Sequence, residues 1–310
     1  MVATATLASC AYYCYDPAMM NGVMFAAAFL QTTALHIYQI SRSKTKFFIP
    51  IVVGGLLEII GYGCRAISHF ESPNFSVIPF AIQYTCILVA PTIMAAAVYM
   101  YYEHIVKAVG GESQSPIRLS RFQKIFLFFD CFSALILIVG SILRLMTTMP
   151  VSWIRLGNRL VMMGLGEQLV FLLIFVFTVG KFQYNMSRNP FQRLSTSTIP
   201  KASGGEIPYK KHLIALYIAS ALIAVRSVIR LMENLTGTTG FIRSHEMILI
   251  IFDGMFMLNM MFLFHSIHPS EISAWEAFYA SNRTNSSLPY FAGMKVWQGK
   301  RLTRVDTIEL

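Results

Sequence analysis

The sequence predicts an all-α membrane protein, a seven-transmembrane helix bundle with its N-terminus outside and its C-terminus in the cytoplasm. Three observations lead to this prediction. Of the 310 residues, 55% are hydrophobic and only 13% are charged, whereas soluble domains carry about 25% charged residues. Seven apolar runs are long enough to cross the hydrocarbon core, which takes about 20 residues. Lys and Arg are also distributed very unequally between alternate loops, and this orients the bundle.

Each predicted span is an apolar run bounded by polar or basic residues. The chain is accordingly divided into an extracellular segment (1–18), a transmembrane domain (19–267) and a cytoplasmic tail (268–310). Pro91 in the third run predicts a kink, because proline removes a backbone donor. The seven runs are Met19–Ile40, Phe48–Ile67, Ile78–Tyr101, Phe122–Met146, Asn158–Gly180, His212–Met232 and Ser244–Ser266.

The basic residues set the predicted orientation. With Lys124 counted at the start of the fourth run, 18 Lys and Arg residues lie in one set of tails and loops, and only Arg155 and Arg243 lie in the other set. Because cytoplasmic loops retain Lys and Arg, the first set is predicted to be cytoplasmic. The net charge of +10 is therefore interpreted as a topology signal, and no nucleic-acid partner is predicted.

Charged residues recur inside the runs, although a charge at the centre of a bilayer costs roughly 2.5–3.5 kcal/mol on insertion scales. Arg226, Arg230 and Glu233 share one face of span six because they are spaced i, i+4 and i+7. Glu246 and Asp253, seven residues apart, are predicted to share one face of span seven. We expect an arginine of span six to pair with an acid of span seven. Arg230 and Glu246 are the favoured pair, because both are predicted to lie near the outer surface of the membrane.

These residues belong to a larger candidate site. In the predicted orientation the arginines lie in the outer halves of their spans, while Glu58, Glu167 and Asp253 lie near the midplane and face the interior. This predicts a polar pocket open toward the outer leaflet, whose guanidiniums suit anionic headgroups and whose carboxylates suit an amine or a proton. Two other interpretations stay open: ion pairs that only fix packing, and arginines that snorkel to the interface.

Span two is expected to satisfy Glu58 separately. The candidate substrate-pathway or ion-pair residues are Glu58, Arg65, Asp130, Arg144, Glu167, Arg226, Arg230, Glu233, Glu246 and Asp253.

Several motifs resemble the fungal lipid-translocating exporter family, over nearly all of residues 12–270. Span two reads E-I-I-G-Y-G-C-R from Glu58 to Arg65, and span six reads R-S-V-I-R-L-M-E from Arg226 to Glu233. The remaining matches are Gln83–Tyr84, Ala90–Pro91, Ala95–Tyr99, Gly237–Gly240, His245–Glu246, Asp253 and His268–Pro269.

The resemblance implies a multi-pass protein of the plasma membrane that confers resistance to a toxic amphipathic compound, a molasses-type toxicant. Family members are linked to the translocation or export of sphingoid bases, sterol analogues and porphyrins. Membrane lipids and a small amphipathic substrate are the implied partners. Leu137 departs from the family, which usually carries Gln seven residues after the acid that matches Asp130. Substrate choice is therefore expected to differ if that Gln touches substrate elsewhere in the family.

Three function classes are compared. A translocator is favoured, and since the chain has no P-loop, any dependence on ATP would be indirect and coupling would fall to protons or to a substrate gradient. The alternative is a seven-helix sensor or receptor that triggers a stress-resistance response. A membrane metal hydrolase is disfavoured, because His245 and His265 are predicted at opposite faces, about 30 Å apart. No enzyme activity, cofactor or metal is predicted, and the oligomeric state is left open.

Overall fold

A computed structural model of the protein describes residues 18–72, 75–146, 150–188, 209–236, 246–283, 295–298 and 301–304. In these residues the chain is almost entirely helical. The helices are α1 (Met19–Ser43), α2 (Ile49–Phe70), α3 (Val77–Ala108), α4 (Leu119–Leu145), α5 (Val151–Arg188), α6 (Tyr209–Thr236), α7 (246–266) and α8 (Ser270–Arg283). An antiparallel pair of short strands, β1 (Lys295–Gln298) and β2 (Arg301–Arg304), follows.

The predicted seven-helix membrane bundle is confirmed. Helices α1 to α6 are each long and apolar enough to span a membrane, and the bent pair Ile250–Ser266 and Ser270–Glu276, which meet at 45°, is a seventh candidate span. Helix α5 has 38 residues and extends beyond the predicted run Asn158–Gly180 at both ends. The predicted extracellular segment up to residue 17 lies outside the described residues, and the orientation of the termini stays a prediction.

The outward faces of the helices are apolar. Phe177 of α5 is 72% exposed and Phe128 of α4 is 65% exposed. Large exposed apolar surfaces are rare on soluble monomers, whereas lipid tails accommodate them without cost. Polar side chains are therefore concentrated inside the bundle, where the candidate site lies.

Helix α3 lies at the centre of the bundle and packs against α2, α4, α6 and α8. Its residues 94–99 are all buried, and its sequence is apolar on every side, as expected for a helix surrounded by others. The small side chains of Ala95, Ala96 and Ala97 allow neighbouring helices to approach closely. This central helix also carries Pro91, whose effect reaches the candidate site.

Glycines bring the backbones of α4 and α5 together. A Cβ atom added to Gly157 would lie 2.5 Å from the backbone nitrogen of Arg144 and 2.7 Å from the carbonyl oxygen of Gly140. Only glycine fits at such a distance. Gly166, further along α5, has open space where a Cβ would be. The contact at Gly157 fixes the position of Arg144, which contributes to the candidate site.

Helix α7 widens into a π-helical segment at Ile250–Met255, between the regular pieces Glu246–Leu249 and Phe256–Ser266. A Cβ on Gly254 would lie 2.6 Å from the Tyr62 hydroxyl, so glycine lets the wide turn approach α2. Short π-helical turns inside α-helices are frequent at functional sites, and this one contains Asp253.

Helix α8 packs on the end of the bundle that is predicted to be cytoplasmic. Ile272 is fully buried in the hydrophobic core. The Glu271 carboxylate lies 2.5 Å from Lys211 Nζ at the start of α6, and Glu276 pairs with His104 of α3. The first part of the predicted tail is therefore packed against the spans.

At the opposite end, a short polar contact closes the connection between α2 and α3. Glu71 accepts hydrogen bonds from the Ser76 hydroxyl and, at 2.9 Å, from the Ser76 backbone N–H. These bonds stabilise the carboxylate and lower the pKa of Glu71 below its ordinary value. Glu71 is an acid remote from the interior, and this makes it a useful control position.

Candidate functional site: a buried charge cluster

Buried charged side chains meet where α2, α3, α6 and α7 come together, and Asp253 lies at their centre. Arg230 Nε donates to Asp253 Oδ1 at 2.9 Å, and Arg230 Nη2 contacts Asp253 Oδ2. Arg226 Nε lies 3.2 Å from the same Oδ1. Arg230 Nη1 donates to Glu233 Oε2 at 2.7 Å. We refer to these four residues and Glu58 as the charge cluster.

The expected pairing between α6 and α7 is present, with Asp253 as the acid. Both arginines of α6 use this one carboxylate, and Glu233 provides a second acid one turn from Arg230. The side chain of Glu246, which depth favoured as the partner of Arg230, lies outside the described residues. Two guanidiniums and two carboxylates therefore compensate one another at short range, as buried charges require.

Arg226 is also held by a backbone carbonyl that a proline leaves free. In a regular α-helix, the N–H of residue 91 would donate to the carbonyl oxygen of Ile87, but Pro91 has no N–H. Arg226 Nη2 donates to this Ile87 oxygen across the interface between α3 and α6. The kink residue of the third span therefore supplies an acceptor for a fully buried guanidinium.

We expect Pro91→Ala to weaken the hold on Arg226, because the new N–H competes for the Ile87 carbonyl. Hydrogen bonds to charged groups contribute about 1.5–3 kcal/mol. Arg226→Gln removes this bond and lowers the unfolding free energy of the wild type. In the Pro91→Ala background the bond is already weakened, so the loss caused by Arg226→Gln should be smaller there by about 1.5–3 kcal/mol. Denaturant unfolding in detergent measures the difference. Pro79→Ala is the control, since the first turn of α3 needs no intrahelical donor, and an equal effect in that background would contradict the assignment.

Arg144 joins the charge cluster through two uncharged side chains. Its Nη1 donates to the Tyr84 hydroxyl at 2.7 Å and to Asn234 Oδ1, and Asn234 Nδ2 donates to the Arg230 carbonyl oxygen at 2.7 Å. The Tyr84 ring centroid lies 5.1 Å from the Arg144 guanidinium carbon and 5.9 Å from that of Arg230. Sequence reasoning missed Tyr84 and Asn234 as site residues, because neither carries a charge that would mark it in an apolar run.

Glu58 differs from the other acids of the charge cluster in its hydrogen bonding. The side chain is fully buried, and neither carboxyl oxygen has a hydrogen-bond partner among the described residues. The charges that act on it are those of Arg226, Asp253 and Arg230. The expectation that span two satisfies Glu58 separately is therefore wrong. Arg65 is buried seven residues further along α2 and makes no hydrogen bond to Glu58.

Asp130 and Glu167 lie apart from the charge cluster, between α4 and α5. Asp130 is 4% exposed, and its Oδ2 has no hydrogen-bond partner among the described residues. One turn away, the Ser133 hydroxyl donates to the Gly164 carbonyl oxygen at 2.9 Å. Glu167 is half-buried, and its interior position stays a prediction. These acids form a separate polar region.

The charge cluster is closed. Its five residues are each at most 7% exposed, and its guanidiniums bind carboxylates and a carbonyl rather than lining an opening. Among the described residues, the predicted pocket open toward the outer leaflet is therefore not formed around the charge cluster. A headgroup can reach the cluster only after the helices around it move. Arg159 is exposed on α5, as the snorkelling interpretation expects, and its place at the interface stays a prediction.

Histidines near the α8 end of the bundle make hydrogen bonds rather than a metal centre. His36 Nε2 lies 3.1 Å from the Met261 carbonyl oxygen, and His212 Nδ1 contacts the Tyr101 hydroxyl. In the part of the chain that the structure describes, no group of three or more His, Cys, Asp or Glu side chains is placed to hold a metal ion.

Comparison with known proteins connects this arrangement to a family. Residues 51–275 match the family described as RTA1 like protein. Protein RTM1 of Saccharomyces cerevisiae is 32% identical over 226 residues, which are 70% of this chain and 65% of that relative. Protoporphyrin uptake protein 1 of Saccharomyces cerevisiae is 28% identical over 73% of this chain and 70% of its own length. Probable lipid transporter atnI of Emericella nidulans is 27% identical over 72% of this chain and 58% of its own length. The chain thus spans 58–70% of these relatives, and no solved structure matches it.

Proposed function

Because the chain belongs to the RTA1-like protein family, we propose that it gives resistance to toxic amphipathic compounds by moving lipid-like molecules across the membrane. Relatives named as a protoporphyrin uptake protein and a probable lipid transporter support an amphipathic cargo. Such cargo needs a polar region inside an apolar bundle, since its headgroup must leave water. The charge cluster meets this need, and it is the observation that carries the proposal.

Packing alone is a weak reason to keep such a cluster. Buried ion pairs can often be replaced by apolar residues without loss of stability, and ionisable residues inside spans mark substrate or ion pathways. In the proposed function, Arg226 and Arg230 bind an anionic part of the headgroup through paired N–H donors. Asp253 and Glu58 bind a cationic part. The apolar tail stays among the exposed aromatic and aliphatic side chains at the surface of the bundle.

Flux into liposomes tests this function. The purified full chain is reconstituted, and three fluorescent probes are followed in parallel: a sphingoid base, a porphyrin and a control phospholipid. We expect one amphipathic probe to cross faster than in protein-free liposomes and to be recovered chemically unchanged, as for a transporter without enzyme activity. Binding of a probe without movement would favour the sensor alternative, and neither binding nor movement would contradict both.

The proposed orientation, in the plasma membrane, has its own test. Basic residues are 18 to 2 between the two sets of loops, so we expect a cytoplasmic C-terminus and an extracellular N-terminus. A reporter that is active only in the cytosol should be active when fused after Leu310 and silent when fused before Met1. The reverse pattern would overturn the orientation, and fluorescence at an internal membrane would overturn the localisation.

A further inference from the structure

We propose that Glu58 is a proton-binding group, and that its proton and the cationic headgroup of an amphipathic amine compete for the charge cluster. Glu58 holds the proton as a neutral acid in the closed arrangement. When the proton leaves, Arg226 turns from Asp253 toward Glu58. The inference rests on the proposed function for the identity of the competing cation, but the proton site itself is independent of it.

Burial without a partner is the first support. An ionised carboxylate taken out of water without hydrogen bonds is strongly disfavoured, and a group in this position takes up a proton instead. Glu58 is 0% exposed, and both of its oxygens lack a hydrogen-bond partner among the described residues. Asp253 and Glu233, by contrast, each accept short contacts from an arginine. Of the three acids, Glu58 is the one whose charge is left without direct compensation.

The charge balance of the cluster gives the second support. With Glu58 protonated, two arginines face two carboxylates, and the cluster is neutral. With Glu58 ionised, it carries one negative charge, which either a proton or a monovalent cation can neutralise. Outside the cluster, Arg144 of α4 contacts Tyr84 and Asn234 and Arg65 is buried on the same helix as Glu58, but in the part of the chain that the structure describes neither donates a hydrogen bond to Glu58. The groups that interact electrostatically with Glu58 are Tyr62 of α2, Cys86 of α3, Arg226 and Arg230 of α6, and Asp253 of α7, and Phe25 and Phe29 of α1 stack on the Tyr62 ring.

Arg226 has the donors that an ionised Glu58 needs. Its Nη1 has no hydrogen-bond partner among the described residues, and its Nε, although 3.2 Å from Asp253, is not aligned for a hydrogen bond. Nη2 stays on the Ile87 carbonyl and provides a fixed point for rotation. The charge cluster thus contains a donor and two acceptors without hydrogen-bond partners among the described residues, and unmade hydrogen bonds cost about 1–3 kcal/mol each.

The exchange can be written as a balanced step. The O–H bond of the Glu58 carboxyl breaks, the proton passes to water, and the electron pair stays on the carboxylate. Arg226 then donates to Glu58, while Arg230 remains on Asp253. The cluster now carries one negative charge, and a primary ammonium headgroup that enters restores neutrality. Return of the proton displaces the ammonium, so one proton is exchanged for one cationic amphipath.

Infrared difference spectroscopy detects the proton directly and requires no substrate. The full chain in lipid nanodiscs, labelled with carbon-13 glutamate, is compared in neutral and alkaline buffer, between which exposed glutamates stay ionised. We expect a protonated carboxyl band that shifts with the label and disappears at alkaline pH. Glu58→Gln should lose this band, Glu58→Asp should keep a carboxyl band that no longer shifts with the glutamate label, and Glu71→Gln should match the wild type. A titrating glutamate band that survives in Glu58→Gln would overturn the proton site, as would its absence from the wild type.

Flux of the fluorescent sphingoid base then tests the competition. We expect uptake of the amine to alkalinise the liposome lumen in the wild type, because one proton leaves for each cationic amine that enters, with a rate that depends on the pH gradient. Glu58→Gln should lose that dependence entirely, and Glu58→Asp should retain it. PH-independent flux in the wild type would overturn the exchange and leave the proposed function intact. A titrating band without flux of any probe would instead overturn the proposed function and uphold the proton site.

Discussion

Asp253→Asn is expected to abolish the resistance that the protein confers while the protein still reaches the membrane. Asp253 is the carboxylate on which both Arg226 and Arg230 converge. Asn keeps the size of the side chain but removes the charge, and this leaves two buried guanidiniums with one carboxylate, that of Glu233. Breaking a buried pair by removing one partner costs about 3–5 kcal/mol. Growth on the toxicant, membrane abundance of a fluorescent fusion and denaturant unfolding measure the three parts of this expectation.

A second substitution tests whether the ion pair takes part in transport or only stabilises the packing of the helices. Arg230→Gln combined with Asp253→Asn restores the charge balance, so much of the lost unfolding free energy should return, with a coupling that a double-mutant cycle measures. We expect activity to stay absent in the double variant, because the headgroup has lost one partner of its anionic part and one partner of its cationic part. If stability and resistance return together, the ion pair serves packing alone and the transport role of the charge cluster is wrong.

Gly157→Leu is expected to prevent the close contact between α4 and α5. A Cβ at this position would already lie 2.5 Å from the Arg144 backbone nitrogen, and a backbone cannot move aside as a flexible side chain does. Forced overpacking costs about 1–3 kcal/mol and occasionally more. Because the leucine side chain extends well beyond a Cβ that already clashes, we expect the unfolding free energy to fall by about 3 kcal/mol or more. Displacement of α4 also pulls Arg144 from Tyr84 and Asn234.

Gly166→Leu is the matched control, on the same helix and with the same change in size. Its Cβ would enter open space, and leucine forms helix more readily than glycine by about 0.5–1 kcal/mol. We therefore expect the two variants to move the unfolding midpoint in opposite directions. A similar loss of stability in both variants would show that helix composition, not the contact at Gly157, sets the effect.

The helices and the main ion pair could be predicted from the sequence because both follow from the free energy of placing polar groups in a bilayer. Exposed backbone and isolated charges are expensive in a bilayer, so apolar runs define the spans, and the spacing of Arg226 and Arg230 defines a face that must meet acids. The same cost identified Asp253 as one of two candidate partners. Choosing between Asp253 and Glu246 requires the register of α6 against α7. The spacing of residues within one helix does not determine how that helix is aligned with its neighbour.

The remaining parts of the site depend on contacts between helices far apart in the chain. The acceptor at Ile87 exists because of Pro91, but only the packing of α6 on α3 brings Arg226 to it. Glu58 was expected to find a partner within its own part of the bundle, since span two carries one acid, Glu58, and one arginine, Arg65. In the structure Glu58 faces the arginines of α6 instead, and only the folded arrangement shows its oxygens without hydrogen bonds.

The π-helical turn at Ile250–Met255 has a consequence for comparing sequences. A π-turn accommodates one more residue than an α-helical turn, so relatives without it are expected to be one residue shorter inside this span. Each residue turns an α-helix by about 100°, and an alignment without a gap there would pair Asp253 with a position on a different face. The relatives that share the wide turn should therefore be recognised by length as well as by identity. Deletion of one residue between Ile250 and Met255 is the single-codon change that would rotate Asp253 relative to the regular helix Phe256–Ser266.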